Sequence, residues 1–248
     1  MNHREYLKQI INEAPIAYDD ETSSLIGKTD KASKTKWTEA PPIKATIDEI
    51  IEWVIQAQKK GFISKDILGQ GASRMCKMND GKSVFKFNYD PNDKEFGNQT
   101  AYEVKFFKKW GSKFSDVLVQ IYKSGDNWQI AEAVKPCTRA KFEDLTNIKW
   151  DIFRFLTKID RTKLKSMYKK AGSIESLLYE IAKIAPLAFI DRLSEKDYLK
   201  DFIKSKDIKR IIQCACETGL SLLDLHDGNL GFRGNNLVIL DYGFDEKR

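Results

Sequence analysis

The spacing of apolar residues changes three times along this chain, and each change predicts a different kind of element. Ile47, Ile50, Ile51, Val54 and Ala57 fall on one face of a helical repeat, and Thr46-x-x-Glu49 ahead of them is a capping box. Beyond Leu68 the apolar runs shorten and are set apart by turn residues. Ser83-Val-Phe-Lys-Phe87, Val117-Leu-Val-Gln-Ile-Tyr122 and Trp128-Gln-Ile-Ala131 read as strands, with turns at Asn79-Asp80-Gly81 and Ser124-Gly125-Asp126-Asn127. A helix over Asn98–Phe107 interrupts this small antiparallel sheet. From Lys141 to Gly219 the helical spacing returns. Ile174, Leu177, Leu178, Ile181, Ala182 and Ala185 form one stripe that stops before Pro186, and Ile208, Ile211, Ile212, Ala215 and Cys216 form another that begins near Asp207 and ends at Gly219. Last, Leu230–Arg233 and Leu237–Leu240 flank Gly234-Asn235-Asn236 as strand, turn and strand.

The N-terminal part carries weaker signals. Arg4–Glu13 reads as a short helix, and Asp19–Pro42 is polar, rich in Lys, Thr and Ser and closed by Pro41-Pro42, as a flexible linker would be. The pattern divides the chain into an extension with a bracing helix (1–60), a sheet unit (61–135) and a helical unit (136–248).

With 248 residues and 42% hydrophobic residues, the chain can bury one substantial core or two smaller ones. A net charge of +6 is modest for this length, and the basic cluster Lys163, Lys165, Lys169 and Lys170 reads as a solvated helix face, so no nucleic-acid partner is expected. Cys76, Cys137, Cys214 and Cys216 form no Cys-x-x-Cys pair, which suggests reduced thiols. No membrane-length apolar run or signal-peptide pattern is present, so the expected location is cytoplasmic with no membrane partner.

The densest chemistry lies near the C-terminus, where Asp224-Leu-His-Asp-Gly-Asn229 is followed by the strand pair and by Asp241-Tyr242-Gly243. Singly these are turn residues, as Asp227-Gly228 illustrates. Together they resemble the catalytic and metal-binding loops of the protein-kinase-like superfamily, including compact bacterial or phage-type kinases and the aminoglycoside phosphotransferase branch. The resemblance implies that Asp224 accepts a hydroxyl proton and that Asn229 and Asp241 supply hard oxygen ligands to magnesium. His226, one of two histidines in the chain, is read as structural.

The same family order is found upstream. Leu68-Gly69-Gln70-Gly71-Ala72-Ser73-Arg74 resembles a nucleotide-covering loop in which Gly69, Gly71 and Ser73 approach phosphate oxygens, although Arg74 stands where a third glycine is usual. Lys86 lies in the following strand like the lysine that meets the alpha and beta phosphates. Glu103 is the expected partner of Lys86, with Glu95 as the alternative, because a lysine in a half-buried strand needs an acid nearby. Glu132-Ala-Val-Lys-Pro136 resembles the hinge, where main-chain groups around Glu132 and Val134 would bind adenine.

The resemblance covers roughly three quarters of the chain, from about Phe62 onward, and implies an α+β, two-lobed kinase-like fold. Its small antiparallel sheet lobe precedes a mainly helical lobe that is truncated after Asp-Tyr-Gly. Two departures stand out: Leu222-Leu223 replace His-Arg before Asp224, and the sequence stops five residues after Gly243, without an activation segment. The expected function is ATP- and magnesium-dependent phosphoryl transfer, first as a compact, self-phosphorylating Ser/Thr protein kinase. The alternatives are a small-molecule kinase of aminoglycoside type, and a pseudokinase that acts as a binding or inhibitor protein.

Overall fold

The computed structural model describes residues 39–67, 73–88, 98–184, 203–223 and 225–242. The expected helix at Arg4–Glu13, most of the expected linker, Gly69, Gly71, Glu95, Asp224 and Gly243 lie outside the described residues.

Helix α1 (Ile47–Lys59) starts at the predicted capping box, with the Thr46 N–H donating to Glu49 Oε2 at 2.7 Å and the Glu49 N–H donating to Thr46 Oγ1 at 3.3 Å. It buries Ile50, Ile51, Trp53, Val54 and Ala57. The end of the polar stretch ahead of it is docked, not free. Trp128 Nε1 donates to the Pro42 carbonyl at 2.9 Å and the Asp126 N–H to the Ile43 carbonyl at 2.8 Å. Gly125 permits this approach, because a Cβ there would lie 2.5 Å from the Ile43 oxygen.

The sheet contains β1 (Ile63–Ile67), β2 (Ser73–Met78), β3 (Ser83–Asn88), β4 (Ile121–Ser124) and β5 (Trp128–Glu132), all antiparallel in the order β1-β2-β3-β5-β4. Helix α2 (Gln99–Trp110) is inserted between β3 and β4. In the β2–β3 turn, Asp80 Oδ1 accepts the N–H groups of Lys82 at 2.8 Å and Ser83 at 2.9 Å. Phe85, Phe87, Trp128 and Ile130 point to one face and share a core with α1. Since successive strand residues alternate faces, Lys86 and its cross-strand partner Gln129 point to the other face.

Two sequence expectations are displaced. The strand expected over Val117–Tyr122 begins only at Ile121. Val117, Leu118 and Val119 are all buried, so they cannot alternate as a half-exposed strand does. They join the helical core instead, where the Ile239 N–H donates to the Val117 carbonyl at 2.8 Å and Leu118 forms a parallel bridge with Ile239. The helical stretch expected over Lys141–Gly219 is divided into α3 (Arg139–Thr146), α4 (Trp150–Thr157), α5 (Arg161–Ala171), α6 (Ile174–Ile184) and α7 (Lys206–Thr218). Asn147, left-handed at φ 56°, ends α3, and Gly219 at φ 78° ends α7.

Helix α7 buries the predicted stripe Ile208, Ile211, Ile212, Ala215 and Cys216. Strands β6 (Lys135–Pro136), β7 (Leu230–Arg233) and β8 (Asn236–Ile239) form a second antiparallel sheet in that order. Its apolar residues complete a core with Phe142, Phe153, Leu177 and Ile181. The architecture is therefore α+β, with the element order that the kinase-like resemblance implies. Cys137, Cys214 and Cys216 are buried free thiols, and among the described residues no helix is long and apolar enough to cross a membrane.

Phe85 is fully buried with its ring centroid 4.7 Å from that of Trp53, so Phe85→Ala should remove about 3–5 kcal/mol of unfolding free energy, read from urea denaturation. A loss below about 1 kcal/mol would mean that α1 and the sheet do not share this core. Burial pushes the Cys214 and Cys216 thiols up to about 12, so the native protein at pH 8 should resist a disulfide-exchange reagent at both positions. Labelling of either at the rate of the unfolded chain would contradict their placement.

Candidate active site

Lys86 stands where three parts of the chain meet. Its ammonium contacts Glu103 Oε1 on α2 and lies 3.1 Å from Asp241 Oδ2, just beyond β8. Lys86 and Asp241 are separated by 155 residues, so the fold, not local sequence, brings them together. Relative exposures of 11% for Lys86, 1% for Glu103 and 23% for Asp241 place the cluster at the edge of the interior, open on the Asp241 side.

The position of Glu103 follows from how α2 is attached. Asn98 caps the helix by accepting the Ala101 N–H at 3.0 Å, while its Nδ2 donates to Asn127 Oδ1 at 2.7 Å. The helix start is thereby pinned to the β4–β5 turn. Thr100, Glu103 and Val104, three and four residues apart, then face the sheet. Gln129 on β5 donates its amide nitrogen to Glu103 Oε2, so each oxygen of this buried carboxylate has a donor.

Charge is unevenly balanced here. Burial alone would lower the Lys86 ammonium, but Asp241 and Glu103 together hold it above the ordinary lysine value. Burial pushes the Glu103 carboxyl well up, with Asp241 adding to the rise and Lys86 opposing it. These directions agree with one ammonium serving two carboxylates, a group with one negative charge in excess when all three are ionised. An additional cation on the exposed side of Asp241 would relieve that excess.

Asn229 closes the single-turn helix Asp227–Asn229, and its carbonyl accepts the Leu240 N–H at 2.9 Å. It therefore sits at the open end of the β7–β8 hairpin, across from the residue that precedes Asp241. It is half-exposed, and a neutral amide is a residue type whose oxygen can ligate a hard cation. His226 Nδ1 accepts the Gly228 N–H at 3.0 Å, a turn-forming role. Asp224 lies outside the described residues, but its neighbours Leu222 and Leu225 are buried and Arg154 Nη1 donates to the Leu225 carbonyl at 2.9 Å. On the other side of Asp241, buried Tyr242 donates its hydroxyl to the Val119 carbonyl at 3.1 Å and packs its ring 5.4 Å from that of Phe106 on α2. Asp241 is thus held between a strand end and an anchored tyrosine. Among the described residues no group of three or more His, Cys, Asp or Glu side chains could hold a metal ion.

At the chain's passage between the two sheets, the Glu132 N–H already donates to the Gln120 carbonyl at 2.8 Å. Val134 has no main-chain hydrogen bond to a described residue, and a Cβ on Gly231 would lie 2.7 Å from its Cγ2, so strand β7 packs closely beneath it. The Glu132 carboxylate is gripped by Arg233, whose Nε donates to Oε1 at 2.7 Å. Arg233 also donates to the carbonyls of Ser115 at 2.7 Å and Leu118 at 2.9 Å. Ser73 opens β2, paired in register with Asn88. Sequence reading assigned no role to Gln129, Arg233 or Tyr242, although Tyr242 stands inside the Asp-Tyr-Gly motif.

No protein-family model matches the chain, and no curated protein sequence matches it. Among solved structures, the chain is similar to a streptomycin–ATP ternary complex of APH(2'')-IIa, at 16% identity and TM-score 0.33, over 92% of this chain and 71% of that one. It is similar also to the ADP-bound aminoglycoside phosphotransferase APH(2'')-Ib, at 18% identity and TM-score 0.35, over 77% of this chain and 70% of that one. A gentamicin complex of APH(2'')-IIa overlaps at 14% identity and TM-score 0.31, over 92% and 71%. Overlaps this loose assign no residue a role.

Arg233→Met would leave the Glu132 carboxylate, 14% exposed, without its charged donor. The expected cost is about 1–3 kcal/mol of unfolding free energy, measured by denaturant titration. No change would mean that solvent screens the pair.

Proposed function

We propose that the protein is an ATP- and magnesium-dependent phosphotransferase acting on a hydroxyl group. The single observation that carries this reading is the meeting of Lys86, Glu103 and Asp241 around one ammonium, with Asn229 at the adjoining hairpin end. A purely structural lysine would not need two carboxylates, one of them partly exposed.

In this reading Glu103 holds the Lys86 ammonium at a fixed point, where it binds the alpha and beta phosphate oxygens of ATP. Gly69, Gly71 and Ser73 cover the phosphates, and main-chain groups at Val134, with the carbonyl of Glu132, receive adenine. Asp241 and Asn229 would hold magnesium, whose charge, when bound, offsets that of the phosphates. A carboxylate and a neutral amide oxygen, the donor types of Asp241 and Asn229, fit a hard cation. Asp224 orients the acceptor hydroxyl and takes its proton as the oxygen attacks the gamma phosphorus of ATP, while the bond from that phosphorus to the beta–gamma bridging oxygen breaks and ADP leaves. The sheet unit would carry nucleotide and the helical unit the catalytic loop.

Two acceptor classes fit, a protein Ser/Thr hydroxyl and a small-molecule hydroxyl. The form Asp224-Leu-His-Asp-Gly-Asn229, which resembles the aminoglycoside-type loop, favours the second. Buried thiols suit a reducing compartment such as the cytoplasm.

Incubation with gamma-labelled ATP and magnesium, alone and with a cell lysate separated into protein and low-mass fractions, tests the reading. Label should move to an acceptor, and Lys86→Met and Asp241→Asn should each reduce transfer by about 100-fold or more. Chelation of magnesium should abolish it. Equal label with wild type and both variants would remove these residues from the chemistry, and absence of both transfer and ATP binding would leave a protein that acts through its surface alone.

A further inference from the structure

We infer that Gln129 is a positioning residue, whose side-chain amide fixes the Glu103 carboxylate so that its other oxygen is presented to Lys86. The inference rests on the phosphotransferase reading and extends it to the residue that donates to the carboxylate paired with Lys86.

The contact geometry is specific. Gln129 is 3% exposed, lies directly across the ladder from Lys86, and therefore occupies the same sheet face. Glu103 Oε1 meets Lys86 and Oε2 meets Gln129 Nε2. Rotation about the last bond of a glutamate side chain has only a broad preference, so apolar packing does not fix which oxygen faces which partner. A directional donor does. A carboxamide is suited to the task because it donates to a carboxylate without adding charge. A second cation there would compete with Lys86, and a second carboxylate would repel Glu103 and Asp241.

The arrangement also carries a cost that packing does not explain. Gln129 Oε1 is buried with no hydrogen-bond partner among the described residues. Thr100 Oγ1, one turn before Glu103 on the same face of α2, is in the same state. A methionine at position 129 would fill nearly the same volume without burying an unpaired oxygen, so stability alone does not call for glutamine. What the amide supplies is the bond to Glu103.

Protonation separates positioning from space-filling. Among the described residues, the charged or titratable groups facing Glu103 are Lys86 from β3, and Asp241 and Tyr242 beyond β8. In Gln129→Glu the introduced carboxyl donates to Glu103 only while protonated. The added carboxylate would crowd the single ammonium once ionised. Its activity relative to wild type should therefore fall as pH rises.

The experiment measures ATP affinity, kcat and KM for wild type, Q129M, Q129E and E103Q between about pH 6 and 8.5, with thermal unfolding of each. Q129M should retain the fold and lose about tenfold in kcat/KM for ATP. Q129E should approach wild type at the acid end and lose at least about tenfold at the alkaline end. In the E103Q background, Q129M should have little further effect on ATP affinity, since the two changes act through one contact. Wild-type kcat/KM in Q129M, or a Q129E-to-wild-type ratio that does not vary with pH, would overturn the inference while leaving the phosphotransferase reading intact. Failure of the wild-type protein to bind or turn over ATP would overturn both.

Discussion

A carboxylate withdrawn from water costs several kcal/mol unless other charges and donors replace its hydration, and Glu103, 1% exposed on the sheet-facing side of α2, is such a carboxylate. Lys86 and Gln129 provide that replacement from two adjacent strands. The helix that carries Glu103 buries only Thr100, Glu103 and Val104, so two of its three buried residues are polar. Its seating combines this polar contact with the partly buried rings of Phe106, Phe107 and Trp110, which pack against the helical core. The ammonium is therefore fixed at the point where the second carboxylate, Asp241, arrives from the far end of the chain.

Arrival of Asp241 in turn depends on the β7–β8 hairpin being held to the rest of the fold. Arg233 at the end of β7 binds Glu132 at the end of β5, and the parallel bridge of Leu118 to Ile239 ties the same hairpin to the segment after α2. Tyr242 then anchors the chain just past Asp241 through Val119. These contacts join the segment that carries Asn229 and Asp241 to the one that carries Lys86 and Glu103. Replacing one of them therefore perturbs geometry at a distance, without touching the reacting groups.

Much of this was legible in the sequence wherever the signal is local. The capping box fixed the start of α1, the alternation of Phe85, Lys86 and Phe87 set the face on which the lysine lies, and the apolar stripe of α7 ended at the glycine that takes a left-handed φ. The resemblance to kinase-like motifs named Lys86, Glu103 and Asp241, whose side chains meet at one ammonium; their chemical roles remain the substance of the proposal. Contacts between distant segments outside those motifs left no trace. Nothing near Arg233 signals Glu132, 101 residues earlier, and Val117-Leu-Val119 reads as strand because burial on every side gives an apolar run whatever the backbone does. The breaks between α3 and α7 rest on single residues such as Asn147, whose left-handed turn is compatible with many surroundings.

In the proposed reading the cluster around Lys86 binds the phosphates of ATP, and Asp241 and Asn229 hold the accompanying cation. The most direct measurement is anomalous X-ray scattering from crystals grown with manganese and a non-hydrolysable ATP analogue. The expected result is a manganese peak bonded to Asp241 and Asn229, with phosphate oxygens on Lys86 and the Lys86–Glu103 contact kept. Nucleotide bound elsewhere, or a manganese site without Asp241, would contradict it.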